Sequence, residues 1–300
     1  MRERMRGRMT PEPIRKILAG LLLLVLLGAG PALAAPALWH VTGPRTGGDA
    51  YLFGSVHVLP PDVEWRGPQV AAAMKKAEVF VFEVPQSAGD MARLQALIQA
   101  RGFLPAGESL RASLPEDSRA DYDAALAASG LAAAQVDGMR PWLAALQMLF
   151  HQLARHNFSA DDGVDNKVMA QVAGRERRYL ETIEEQFALL APDDRRLEME
   201  EFRASLKDLR DAAAQIQPLV AAWQAGDQST LDDLINGGLA DHPAARKTLL
   251  DDRNARWLAQ LRALLREKKT FFITVGAGHL TGPKGLPALL RKAGFRVSGP

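Results

Sequence analysis

Tyr51-Leu52-Phe53-Gly54-Ser55-Val56-His57-Val58-Leu59-Pro60 is the stretch whose reading decides the fold. An apolar run, Tyr51 to Phe53, stops at Gly54; His57 follows three residues later, and Pro60 and Pro61 end any regular element. The pattern predicts a β-strand that delivers a histidine just past its C-terminal end. Far downstream, Phe271-Phe272-Ile273-Thr274-Val275 runs into Gly276-Ala277-Gly278-His279 in the same way. Two strands that each end in Gly-x-x-His bring two imidazoles to one sheet edge, which is where open α/β sheets bind ligands. The alternative is two unrelated loop histidines with locally satisfied hydrogen bonds. The spacing alone is a weak signal; the β-like run before each copy gives it weight.

Working outward, Leu38 to Thr42 alternates in polarity and pairs with the Ala50–Phe53 run as a hairpin over 38–54, with turn chemistry at Gly43-Pro44 and Gly47-Gly48-Asp49. His40 lies in its first strand and reads as structural. Pro68 to Ala77 is a short helix with proline near its start. Val79-Phe80-Val81-Phe82 reads as a strand buried on both faces, and it ends in Glu83. A carboxylate there needs a partner or a ligand, so Glu83 is a candidate site residue, with a structural ion pair as the alternative. Residues 90–160 read as helical. Trp142, Leu146, Leu149, Phe150 and Leu153 recur at helical spacing and predict one buried face. His151 and His156 are five apart, which is not the spacing of a helical metal pair, and read as structural or solvent-facing.

Asp161-Asp162-Gly163-Val164-Asp165 reads as helix capping, since the remaining positions of a calcium loop are missing. Arg178 to Glu181 is a short strand. Thr182 with Glu185 three residues later forms a capping box, and Glu181 is left as a possible second carboxylate of a site. Residues 193–225 form a long charged helix. A short helix at 227–236 follows, and another opens at His242-Pro243. In that last helix Arg253, Arg256 and Trp257 share a face. Arg253 is placed either to neutralise Glu83 or clamp an anion, or in an ordinary surface ion pair. The chain closes with strand 270–275, a turn in which Gly276, Gly278 and Gly282 allow close backbone approach, helix 284–293 and strand 295–298. No Gly-Lys-Ser/Thr follows, so the turn is not a P-loop.

Residues 1–34 read as a secretory signal peptide, with an uncleaved anchor as the alternative. The leader carries a basic start through Lys16, an apolar core from Ile17 to Leu27 and Ala32-Leu33-Ala34 as the cleavage site before Ala35. Removing it takes six of the 37 Lys/Arg and two of the 35 Asp/Glu, leaving 31 bases, 33 acids and a net charge of −2. No basic patch then argues for nucleic acid. The chain has no cysteine, so neither disulfides nor thiolate chemistry is available, and residues 35–300 must hold together by their core.

The motifs occur in an ordered set. Leu52-Phe53-Gly54-Ser55-Val56-His57, Val81-Phe82-Glu83 and Arg140-Pro141-Trp142 come first. Gly163-Val164-Asp165, Leu180-Glu181-Thr182 with Glu185-Gln186, Arg253-Asn254 and Val275-Gly276-Ala277-Gly278-His279-Leu280-Thr281-Gly282 follow. In this set the chain resembles the TraB/PrgY/GumN family, which includes the Tiki proteases, and is more distantly similar to the erythromycin esterase and ChaN-like group. The resemblance spans residues 38–298. It implies that His57, Glu83 and His279 form the core of a site, with Arg253 a nearby cation and Glu181 a possible second carboxylate. Pro85 departs from the family, which often has an acid at that position. The expected fold is a single α/β domain over 35–300: a central mixed sheet with strands from both chain ends and a large helical middle. The expected function is a periplasmic metal-dependent hydrolase, a peptidase, with His57, Glu83 and His279 as ligands of a divalent ion of the Mn or Zn class. The alternative is a non-catalytic envelope protein that binds a peptide or polysaccharide. The expected partner is a peptide or other small envelope substrate, with no nucleic acid and membrane contact only through an uncleaved leader.

Overall fold

The computed structural model describes residues 35–43, 47–239 and 243–300. The leader, Pro44 of the first turn and His242 at a helix start therefore lie outside the described residues. Residues 35–300 form one compact unit. The strands are β1 (Leu38–Thr42), β2 (Asp49–Ser55), β3 (Val79–Phe82), β4 (Glu176–Tyr179), β5 (Thr270–Gly276) and β6 (Arg296–Ser298). They build one mixed sheet in the order β4-β3-β5-β2-β1-β6. β1 pairs antiparallel with β2, from Leu38↔Phe53 to Thr42↔Asp49, as the hairpin reading expects. The four neighbouring strands β2, β5, β3 and β4, the last at the sheet's edge, all run parallel. Four strand C-termini thus share one edge. The strands come from both ends of the chain and the middle is mostly helical, as the sequence predicts.

The longer helices are α1 (Pro68–Lys76), α2 (Ala88–Arg101), α3 (Glu116–Ser129), α4 (Pro141–Arg155), α5 (Val164–Gln171), α6 (Ile183–Leu190), α7 (Arg195–Ala225), α8 (Asp252–Leu264) and α9 (Leu286–Lys292). Alternate residues of β3 enter opposite cores, which is why its run is apolar throughout. Phe80 and Phe82 pack with Phe53, Phe272 and Trp223 under α1 and α7. Val79 and Val81 pack with Leu52, Phe271, Ile273, Val275 and Trp257 under α8 and α9. Each such large side chain contributes roughly 1.5–3 kcal/mol on full burial. A further cluster, with Tyr122, Met148, Phe202 and Leu206, sits among α3, α4 and α7.

The Arg140-Pro141-Trp142 stretch ties this helical part together. Pro141 opens α4, where its missing N–H costs nothing. Buried Arg140 pairs with Glu198 of α7 at 2.7 Å, and the Trp142 N–H donates to the same carboxylate at 3.2 Å. The predicted single buried face of α4 is corrected. Trp142 and Leu153 are buried, but Phe150 is 48% exposed. The helix runs from one hydrophobic cluster past the rim of the cleft at the sheet edge, so its apolar stripe is covered only in part.

Candidate active site

Each parallel strand delivers one polar side chain past its C-terminus: β2 leads to His57, β3 to Glu83, β4 to Glu181 and β5 to His279. Two glycines let these ends meet. A Cβ on Gly54 would lie 3.2 Å from the Cα of Ala277, so the first motif packs against the backbone of the second. A Cβ on Gly276 would lie 3.2 Å from His57 Nε2 and 3.3 Å from Glu83 Oε1. That glycine keeps the space between imidazole and carboxylate open. Trp223 of α7 secures the first motif by donating its indole N–H to the Gly54 carbonyl at 2.9 Å.

The buried half of the site centres on Arg253 at the start of α8. Its Nη2 donates to Glu83 Oε2 at 2.6 Å, while Nε and Nη2 hold Glu181 in a fork at 2.9 and 2.8 Å. Nη1 lies 3.0 Å from His279 Nε2 and also donates to the Leu249 carbonyl at 3.1 Å. The surface-pair alternative for Arg253 therefore gives way to a buried network. Arg256 also reaches Glu181, at 3.3 Å, and the Arg253 guanidinium lies 4.6 Å from the centre of the Trp257 ring, so the predicted shared face acts as a unit. The other oxygen of Glu83 accepts the Gly276 N–H at 2.6 Å, and Gln186 of α6 donates to Oε2 at 3.3 Å. Burial opposes ionisation of Glu83, but His279, Arg253 and His57 outweigh it and, with the Gly276 N–H, hold the carboxyl below its usual range.

His279 is 3% exposed, so the glycine-rich turn after β5 holds its imidazole inside the molecule. Its Nδ1 sits 2.7 Å from Asn254 Oδ1. With Arg253 donating to Nε2, the consistent state is a neutral ring with the proton on Nδ1. Burial pushes this imidazole down to about 3, against the pull of Glu83 and with the charges of Arg253 and His57. Asn254 also donates to the Lys284 carbonyl at 3.0 Å, which pins the glycine-rich turn.

His57 is the open half, with its side chain 62% exposed. Its Nδ1 bonds Asp165 Oδ2 at 2.7 Å. The Asp165 charge is the main cause that raises this imidazole to about 9, against burial and with smaller help from Glu83. The capping reading of the Asp161–Asp165 cluster is corrected here. Gly163 is the N-cap of α5 and no side chain caps the helix. A Cβ on Gly163 would collide with the His57 carbonyl, and the Val164 N–H donates to the Val56 carbonyl at 3.1 Å. The cluster thus brings Asp165 to His57. The Thr182–Glu185 capping box forms as predicted.

His57, Glu83, Asp165, Gln186 and Arg253 line one cavity of about 540 Å³, and His279 joins it through Arg253. His40 stacks on Tyr51 in the hairpin, and His151 and His156 are exposed on or beside α4. Sequence reasoning passed over Asp165 and Asn254 as partners of the two histidines. Their signal was present, since both stand in motifs of the ordered set, but nothing local says what they touch.

The donors do not fit the expected three-ligand metal centre as they stand. Both Glu83 oxygens accept hydrogen bonds, and His279 Nε2 faces a guanidinium N–H. Only His57 Nε2 turns to the cavity without such a partner among the described residues. Among those residues no group of three His, Cys, Asp or Glu is arranged to hold a metal ion.

The sequence model of the TraB/PrgY/gumN family matches residues 37–299. Among curated proteins, Metalloprotease TIKI2 of Danio rerio is 25% identical over 329 residues, covering 87% of this chain and 60% of that protein. The chain thus spans less than two thirds of that relative's length. No solved structure matches the chain.

Proposed function

The chain belongs to the TraB/PrgY/gumN family, and on that premise we propose that the cleft at the sheet edge is the active site of a hydrolase that cleaves peptides in the cell envelope. The observation that carries the reading is the pairing of His57 Nε2 and Glu83 Oε1 across the open side of Gly276, 3.2 and 3.3 Å from one point. In this reading a peptide carbonyl lies against His57. The imidazolium, protonated at neutral pH, donates Nε2–H to the carbonyl oxygen and stabilises the charge that develops there. Water beside Glu83 adds to the carbonyl carbon and gives its proton to the carboxylate. The C–N bond then breaks, the same proton passes to the departing nitrogen, and the products are a carboxylic acid and an amine. Arg253 orients Glu83, and Glu181 orients Arg253. No step is routed through a metal, because the second imidazole, His279, has its Nε2 turned to the Arg253 guanidinium.

A second reading, a peptide-binding protein without turnover, draws on one fact: Glu83 already accepts hydrogen bonds on both oxygens, which weakens it as a base. One assay separates the two. The purified exported protein is incubated with a random peptide library, once with chelator and once with added Mn²⁺ or Zn²⁺, and new termini are read by mass spectrometry. Cleavage that His57→Ala abolishes supports the hydrolase, and the two arms report metal dependence. Binding without new termini in either arm overturns it. The envelope location rests on the leader, and an N-terminus at Ala35 in the envelope fraction is its test; a full-length cytoplasmic protein contradicts it.

A further inference from the structure

Resting on the hydrolase reading, we propose that the rim of this cleft is a subsite for one bulky apolar side chain of the peptide, with Phe150 and Leu190 as its specificity determinants. The cavity lining is of two chemical kinds. One is His57, Glu83, Asp165, Gln186 and Arg253; the other is Leu146, Phe150, Met169, Leu189, Leu190 and Leu249. Leu146 and Phe150 are four apart on α4, so they stand on one face, and Leu189 and Leu190 end α6. Three helices with different roles in the core therefore present apolar groups to the same space.

Phe150 is 48% and Leu190 44% exposed, and they are two of the six exposed large hydrophobics among the described residues. Scattered single apolar residues need no explanation, but two that rim one cavity beside charged groups do. The two kinds of lining also select the occupant. A purely polar ligand such as a sugar would leave the apolar lining in water. A plain hydrocarbon chain would desolvate the charged lining without hydrogen bonds in return. An extended peptide with one large apolar side chain satisfies both. α6 supplies the coupling: Gln186, which donates to Glu83, stands three and four residues before Leu189 and Leu190. A side chain seated on this helix therefore sets the adjacent backbone carbonyl relative to Glu83 and His57.

The test uses the full exported protein, the Phe150→Ser and Leu190→Ser variants and the double variant. The probes are acetylated, amidated octapeptide libraries, random except for a fixed central Leu, Phe, Ser or Asp. Cleavage rate and equilibrium binding are read for each library, with melting temperature and light scattering as controls. The wild type should prefer Leu or Phe over Ser by about tenfold or more in both readouts. The double variant should lose that preference, with the Ser library and the melting temperature unchanged. Retained preference or an equal loss on all libraries overturns the subsite. Preferential binding without cleavage keeps the subsite and removes the hydrolase reading. Cleavage without preference does the reverse, and neither readout responding overturns both.

Discussion

His57 and His279 close the same four-residue motif on neighbouring parallel strands, yet they sit in opposite surroundings. His57 is 62% exposed, rests on Asp165 and is raised to about 9. His279 is buried between Asn254 and Arg253 and lowered to about 3. At neutral pH one ring is a cation facing the cleft and the other a neutral group bonded at both nitrogens. The motif fixes where an imidazole stands, at a strand end beside a glycine. What the imidazole does is set by partners more than twenty residues away in sequence.

The largest expected effect falls on the buried side. Arg253→Met leaves Glu83 and Glu181 without their shared cation, a loss of roughly 3–5 kcal/mol, readable as a lowered melting temperature. Glu83→Gln should cost clearly less, because Arg253 keeps its fork to Glu181. Equal losses would show that Glu83, not Glu181, is the main partner of Arg253.

Gly276→Ala strikes the junction of the two halves. Its methyl would lie 3.2 Å from His57 Nε2 and 3.3 Å from Glu83 Oε1, at a backbone position that strains no L-residue. Peptide turnover should fall about 100-fold through misplacement, with stability changed by about 1 kcal/mol or less. Full turnover would place the chemistry away from this glycine.

Acid should act through His279. Its folded value lies below the ordinary one, so the unfolded chain takes the proton first as pH falls. The contribution is complete above about 6.5 and is lost towards about 3, with a slope of at most about 1.4 kcal/mol per pH unit. Denaturant unfolding at pH 7, 5.5 and 4.5 should show this excess over His279→Asn, which lacks the titration. Parallel curves for the two proteins contradict it.

The smallest effect belongs to the open side. Asp165→Asn should return His57 from about 9 towards 6.5. The stability it removes is present below about 6.5 and lost as pH rises through about 9. In so exposed a group, solvent screening holds it to about 1 kcal/mol or less. Unfolding at pH 6 and pH 10 should give a wild-type advantage only at the lower pH.

How much of this was legible in the sequence follows from range. The strands before His57 and His279, the buried run ending at Glu83 and the capping box at Thr182 are local patterns, and each formed. Arg253 was placed correctly as one of two alternatives, because a cation on the Trp257 face had a candidate anion in Glu83. Asp165 was misread because an acidic residue beside glycine at a helix start also suits capping, and its true partner lies 108 residues away. Phe150 was misread because helical spacing shows which residues share a face but not where the covering layer ends. The burial of His279 was hidden for a third reason. A glycine-rich turn reads as exposed loop until α8 is known to lie against it through Asn254 and Trp257.

The division of labour between the two imidazoles is tested most directly by NMR of the protein with ¹⁵N-labelled histidine, followed from pH 3 to pH 10. One ring, absent in His57→Gln, should titrate near 9. A second, absent in His279→Asn, should stay neutral with its proton on Nδ1 down to about 3. Two rings that both titrate near 6.5 would contradict the account, because they would be free imidazoles with neither the Asp165 nor the Arg253 partnership.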